Sequence, residues 1–332
     1  MNKTDKLISI IIPCYNCGEW LSKSINSLIR QTKNNFEVIF VDDGSKDDSY
    51  YQASKILGKS KLDYKIIKQK NNGVSVARNT GIESSTGKYL YFLDADDYVE
   101  DNFVEVITEI VCIKEYDMIF GNYFIRKDDS YEEMKNKECG EYECNDLLKV
   151  ILGNKFRYHM CSAVIKRDIV IKNNIEFMIG CRYGEDHEFI IKNLCNSNKI
   201  YVSNKFFYNY CIRAGSTIHK FSINRLDSID SSLRVKEYVD FKHPQLSEFS
   251  QKYVAVKMLF NLREYSIIND TETSSDDKKK CKNKLIEKVK QNKKYIDYLY
   301  YDENRSIKNK FMGVIVKYNP RIYIFFKENS LI

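Results

Sequence analysis

"YLYFLDADDYVED", residues 89–101, sets five acidic residues directly behind a run of aromatic and aliphatic ones. The run Tyr89–Leu93 has the near-continuous apolar character of a strand buried on both faces. Side chains alternate along an extended chain, so Asp94 and Asp96 are expected on one side, about 6–7 Å apart. Carboxylates so placed repel one another unless a divalent cation shares them. Mg²⁺ and Mn²⁺ are commonly held by one or two carboxylates together with phosphate oxygens, so the pattern implies a metal shared with a diphosphate. A calcium loop would put ligands at Asp94, Asp96 and Glu105, but Tyr98 and Val99 stand where such a loop needs a ligand and a glycine.

Working outward, short apolar runs alternate with amphipathic stretches from residue 7 to about 125, the pattern of a parallel sheet covered by helices. Strands are expected at 7–12, 36–41, 64–67, 89–93 and 118–120. Leu21, Ile25 and Leu28 share one helical face, as do Phe103, Ile107 and Ile110. Residues 126–144 are polar and aperiodic and read as a connecting loop or flap. Helices are expected near 145–152, 166–173 and 185–196, a strand at 199–210, and a separate helical, basic C-terminal module over 221–332. The fold class is therefore α/β. Its main domain is expected over residues 1–220, with a first half to 125 and a second over 126–220. In such sheets ligands sit outside the carboxyl ends of the strands. Three strands here run into polar ends: Pro13-Cys14-Tyr15-Asn16, Asp42-Asp43-Gly44-Ser45 and Asp94-Ala95-Asp96-Asp97. One such end is an ordinary turn with helix caps; three together mark a site.

The whole chain is consistent with this. Its 332 residues are 43% hydrophobic, enough for a sizeable core. The ten cysteines are irregularly spaced and no leader-like segment opens the chain, so reduced thiols in the cytoplasm are expected. Cys14 and Cys17 form a lone CxxC, read as small buried side chains rather than a zinc site. No apolar run approaches the ~20 residues of a membrane span. The net charge of +7 is uneven: residues 278–294 hold nine lysines against one glutamate. Such a run attracts nucleic acid or an anionic membrane, yet its commonest meaning is a solvated helix face.

In this order, "SIIIPCYN" (9–16), "VIFVDDGSKDDS" (38–49), "NNGVSVARNTGI" (71–82), "YLYFLDADD" (89–97) and "GEDHEF" (184–189) resemble glycosyltransferase family 2, the inverting enzymes of the GT-A fold. The resemblance covers residues 7 to about 218. It implies a UDP-sugar donor, Mn²⁺ or Mg²⁺ as cofactor, and a glycan or lipid-linked acceptor, in the setting of bacterial surface-polysaccharide assembly. No nucleic-acid partner is implied. Residue by residue, it places Pro13 and Tyr15 in the base pocket, Asp43 on the uracil, and Asn71 and Arg78 on the base or diphosphate. For Arg78 a plain helix-surface charge is the bland alternative. Asp94 would face the ribose and donor sugar and share in the metal, with Asp96 its principal ligand. Asp186 would be the general base, at the start of a helix whose Phe189, Ile190 and Leu194 look buried, with Glu185 beside it. "YNYCIRAGSTIHKFS" (208–222) resembles the segment that follows the base, so Arg213 would clamp the diphosphate with Ser216 or Thr217. His219 either completes the metal shell or is simply solvated. No QxxRW-like signature follows residue 186, so addition of one or a few sugars is expected rather than processive polymerisation.

Two rival enzyme readings fail on single features. A sugar-nucleotide pyrophosphorylase needs a glycine-rich loop after the first strand and a dehydrogenase GxGxxG; Pro13-Cys14-Tyr15-Asn16 stands there instead. A non-catalytic nucleotide-sugar binder or interaction subunit is the alternative, against which Asp96 and Asp186 speak. The tail "FMGVIVKYNPRIYIFFKENSLI" (311–332) carries Phe311, Val314, Ile315, Ile322, Ile324, Phe325 and Phe326 beside basic residues. It is expected to pack on its own domain, to pair subunits into an oligomer, or to lie at an anionic membrane surface.

Overall fold

Ile8, Ile10, Ile11 and Ile12 are all fully buried, which places β1 (Ile8–Cys14) inside the sheet rather than at its edge. The computed structural model describes residues 6–128, 130–212, 222–267, 274–299 and 307–328. They form two compact units. The first comprises residues to 148, 156–180 and 189–212; the second comprises 149–155, 181–188 and the described residues from 222 onward.

In the first unit β1 lies between β2 (Phe36–Asp42) and β4 (Tyr89–Phe92), parallel to both, and β3 (Asp63–Lys68) continues beyond β2. β5 (Tyr98–Val99), β6 (Met118–Lys127), β9 (Ala163–Lys166) and β10 (Ile200–Ile212) complete the order β3-β2-β1-β4-β9-β6-β10-β5. On that path only β9 and β5 run against the rest. The α/β expectation holds, as a mixed sheet with most strands in one sense. The helices α1 (Gly18–Ile29), α2 (Ser49–Gly58), α3 (Val74–Ser84) and α4 (Phe103–Ile113) alternate with these strands. α1 buries Leu21, Ile25 and Leu28, the three residues its periodicity marks. α3 runs so close to β1 that a Cβ on Gly81 would stand 2.3 Å from Ile11 Cγ2, a space only glycine fits.

The stretch 126–144 is not a loop. β6 extends to Lys127, β7 (Ser130–Met134) pairs back onto it, and β8 (Gly140–Tyr142) pairs with β10. β7 is exposed along nearly its whole length, so it carries none of the apolar alternation that betrays a half-buried strand. α5 (Cys144–Leu152) and α6 (Arg167–Lys172) lie where helices are expected. α7 (Glu185–Leu194) buries Phe189, Ile190 and Leu194 completely. In the first unit Phe189 stacks on Phe177 at 3.9 Å, and both meet Phe92 edge-on.

The second unit contains α8 (Asp227–Lys242), α9 (Ser247–Ile267), α10 (Ser275–Gln291), α11 (Ile307–Tyr318) and α12 (Pro320–Glu328). The lysine run is α10: Cys281, Leu285, Ile286 and Val289 face inward while Lys279, Lys280, Lys284 and Lys290 are exposed, the solvated face that the bland reading anticipates. The core joins Val254, Met258 and Leu262 to Leu285, Val289, Val316 and Ile324, with Ile315 packed against it. Val314 and Ile322 are exposed; Phe311, Phe325 and Phe326 lie outside the described side chains. Among the described residues no helix is long and apolar enough to cross a membrane.

Candidate active site

The carboxyl ends of β1, β2 and β4 carry the three polar strand ends. The turn after β2 is organised by two neighbouring aspartates. Asp42 is fully buried and accepts the Ser45 N–H at 3.2 Å, and the Asp43 N–H donates to the Cys14 carbonyl at 2.8 Å. Gly44 takes φ +73°, where a Cβ would also meet the Asn71 nitrogen at 2.7 Å; only glycine satisfies both demands. The Asp43 carboxylate accepts from Gln69 Nε2 (2.8 Å), from the Asn72 N–H (3.0 Å) and from the Gly73 N–H (2.8 Å). Gln69 is fixed in turn by Thr80 Oγ1 at 2.9 Å. Three of the roughly four acceptor positions of the carboxylate are thus committed to holding the 69–73 loop. Pro13 is buried in register with Val41, while Tyr15 stands 44% exposed just past the strand. Asn71 is exposed on the loop that Asp43 ties down.

The acidic segment departs from the extended geometry expected of it. β4 ends at Phe92, and the Asp97 N–H closes a turn on the Asp94 carbonyl at 3.0 Å. Asp94 and Asp96 therefore belong to a tight turn and are not alternate residues of a strand. Arg78 is no helix-surface charge either. It is 5% exposed, its Nη2 meets Asp94 Oδ1 at 3.1 Å, and its guanidinium lies 5.1 Å from the Phe177 ring centroid. Asp94 and Asp96 are half-buried, whereas Asp97 is 1% exposed. Asp97 Oδ1 accepts the Cys211 N–H at 2.8 Å, and no hydrogen bond reaches Oδ2 among the described residues. Burial, reinforced by the Asp94 charge, pushes the Asp97 carboxyl well above the usual carboxylate range. The set fits a hard divalent cation: oxygen ligands on one turn and, among the described residues, a buried Asp97 oxygen left without a donor.

Asp186 lies in the second unit, in the first turn of α7, where an acid suits the helix dipole. Its Oδ1 accepts the His187 N–H at 2.7 Å. The segment carrying it is pinned from α8. Ser231 Oγ donates to the Gly184 carbonyl at 2.7 Å, the Arg182 N–H donates to Asp227 Oδ2 at 2.9 Å, and Arg234 grips buried Glu188 through two nitrogens at 2.7–3.0 Å. Lys257 of α9 is near enough to Asp186 to feel its charge. Burial pulls its ammonium below the usual lysine range, and Asp186 works in the other direction. Glu185 is buried at 8% exposure, and His187 is half-buried.

Arg213, Ser216, Thr217 and His219 lie outside the described residues. Within the first unit the structure joins Arg78 to Asp94 and joins Asp43 to the loop bearing Asn71. Sequence reading overlooked Gln69, Asp97, Arg234 and Lys257. Asp97 could have been flagged as the third acid of "DADD"; Gln69, Arg234 and Lys257 carry no local pattern that separates them from surface residues.

Comparison with known proteins agrees with this architecture. The pattern of Glycosyl transferase family 2 matches residues 9–173. An uncharacterized glycosyltransferase, YibD of Escherichia coli K12, is 31% identical over 233 residues, covering 68% of this chain and 65% of its own. The poly(ribitol-phosphate) β-N-acetylglucosaminyltransferase TarP of Staphylococcus aureus is 27% identical over 228 residues, 66% of this chain and 67% of its own. The first-ranked curated relatives are longer: the chain spans 65%, 31% and 60% of three of them. Among solved structures, S. aureus TarS 1-349 in complex with UDP-GlcNAc superposes with a TM-score of 0.73 at 18% identity, covering 98% of this chain and 91% of that one. The fold is GT-A, and the chain belongs to glycosyl transferase family 2.

Proposed function

We propose that the chain is an inverting glycosyltransferase that moves a sugar from a UDP-sugar to a hydroxyl of a glycan or lipid-linked acceptor. The observation that carries this reading is the buried Arg78–Asp94 pair beside the acidic turn, at the same sheet edge as the Asp43-held loop. A basic and an acidic group at such an edge suit a diphosphate and its metal. The bound donors named for solved relatives, UDP-GlcNAc in TarS and GDP-Man with Mn²⁺ in a mannosyltransferase of Pyrobaculum calidifontis with a TM-score of 0.53, support a nucleotide-sugar. Tyr15 offers an aromatic face to the base, Asn71 and Asp43 frame its polar edge, and Arg78 lies toward the diphosphate. Asp96 with Asp94 would hold Mn²⁺ or Mg²⁺, whose charge neutralises the departing diphosphate. Asp186 takes the proton of the acceptor hydroxyl as its oxygen bonds to the anomeric carbon and the bond from that carbon to UDP breaks. Arg213 and His219 remain assigned by resemblance alone.

The test is Asp186→Asn, which keeps size and cannot accept the proton. kcat is expected to fall by roughly 10²–10⁴ with donor affinity little changed. Near-normal turnover with lowered stability makes Asp186 structural, and a chain that releases no UDP from any UDP-sugar is a binder rather than an enzyme. Peripheral contact with an anionic membrane belongs to the same proposal, supported by exposed Val314, Tyr318 and Ile322 next to Lys317 and Arg321. Deleting the tail would remove Val316 and Ile324 from the core, so the cleaner probe is Val314→Ser/Tyr318→Ser/Ile322→Ser. It is expected to lose flotation with anionic liposomes at low salt; undiminished flotation removes this contact.

A further inference from the structure

His159 and Cys161 play no part in the reading above. His159 caps a 3-10 turn, Met160–Ser162, that contains Cys161: its Nδ1 accepts the Cys161 N–H at a long 3.4 Å, and the Ser162 hydroxyl exchanges hydrogen bonds with the His159 main chain at 3.0 and 2.8 Å. The turn feeds β9, the strand beside β4. That adjacency brings it to the acidic turn. A carboxylate oxygen of Asp94, a ring nitrogen of His159 and the sulfur of Cys161 all lie within 4.8 Å of one another. Tyr208 and Tyr210 wall the imidazole, with ring centroids at 5.4 and 5.2 Å.

We propose that Asp94, His159 and Cys161 form a binding site for a thiophilic divalent cation, Zn²⁺ by its chemistry, which shares Asp94 with the hard-cation site of Asp96 and therefore competes with it. Imidazole and thiolate select zinc, whereas Mg²⁺ and Mn²⁺ prefer oxygen. Zinc bonds of about 2.0–2.3 Å set tetrahedral ligand atoms about 3.3–3.8 Å apart, so modest side-chain rotation closes the present spacing. Three protein ligands leave the fourth position to water. The Cys161 thiol gives its proton to solvent as the sulfur–metal bond forms. Asp94 engages Arg78 through Oδ1 only and keeps an oxygen for the metal. The 3.4 Å contact from the Cys161 N–H is too long to hold His159 Nδ1 strongly. This inference stands whether or not the chain transfers sugar.

Titrating the full chain with Co²⁺ tests it, read by the thiolate-to-metal charge-transfer absorption and then by its loss when Zn²⁺ is added. One equivalent is expected in the native chain and none in Cys161→Ser. His159→Gln should weaken binding at least about tenfold, and Cys14→Ser/Cys17→Ser should leave it unchanged. Absence of the band in the native chain, its survival in Cys161→Ser, or its loss with the Cys14/Cys17 pair overturns the site. Should Cys161→Ser fail to fold by circular dichroism, His159→Gln decides, and unchanged Co²⁺ affinity there overturns the site as well.

Discussion

The loop after β2 and the turn after β4 are made from the same residue type and finished to different degrees. Asp43 has a donor for each oxygen and one to spare, all supplied by the 69–73 loop. At the same end of the sheet, Asp94, Asp96 and Asp97 crowd one turn: Arg78 pairs with Asp94, the Cys211 N–H reaches one Asp97 oxygen, and among the described residues the other Asp97 oxygen has no donor. A carboxylate whose hydrogen bonds are complete is a structural part; it shapes a pocket whether or not a ligand is present. A buried carboxylate oxygen without a donor, such as Asp97 Oδ2 among the described residues, raises the energy of the empty protein, and a cation lowers it again. The difference teaches which loop is preformed and which waits for something to bind.

The largest effect should come from the unfinished side. Asp96→Ala is expected to abolish transfer and metal-dependent UDP binding, with the unfolding free energy from urea titration changed by no more than about 0.5 kcal/mol, because a half-buried turn residue contributes little to the fold. UDP binding by calorimetry with and without EDTA measures this. Full activity in EDTA would break the comparison at its root.

Much of this was legible in the sequence. The strands β1, β2 and β4 announce themselves because burial on both faces forces continuous apolar runs, and the three polar ends that follow them mark one sheet edge. β9 was not legible: its four residues merge into the start of α6 and its direction is set by neighbours far along the chain. The acidic turn was misread as extended because a period of two fits the letters equally well, and only the Asp97-to-Asp94 hydrogen bond decides. The anchoring of Gly184 and Glu188 by Ser231 and Arg234 spans 46 and 47 positions, a separation at which local pattern carries no information.

The finished side should respond next. Asp43→Asn keeps shape but replaces one acceptor oxygen with a donor facing N–H groups, leaving a buried polar group unsatisfied at about 1–3 kcal/mol. The chain should unfold at lower urea, and the amides of Asn72 and Gly73 should exchange faster than those of β1. Unchanged exchange at those two amides would mean the loop holds itself without Asp43.

The smallest effect, and the one with the opposite sign, belongs to Asp97. Burial first, and the Asp94 charge second, raise its carboxyl above the ordinary value of about 3.9. Between those two values the folded chain holds a proton that the unfolded chain has lost, so stability is complete below pH ~4 and declines as pH rises toward the folded pKa. Asn cannot ionise, and its carbonyl can accept the Cys211 N–H as Asp97 Oδ1 does. Measured in EDTA, Asp97→Asn should match the native chain in stability at pH 4 and exceed it at pH 8. A variant less stable than the native chain at pH 8 but equal to it at pH 4 would show that Asp97 is ionised and well paired. The acidic turn would then be as complete as the Asp43 loop, and the contrast between the two would have to be abandoned.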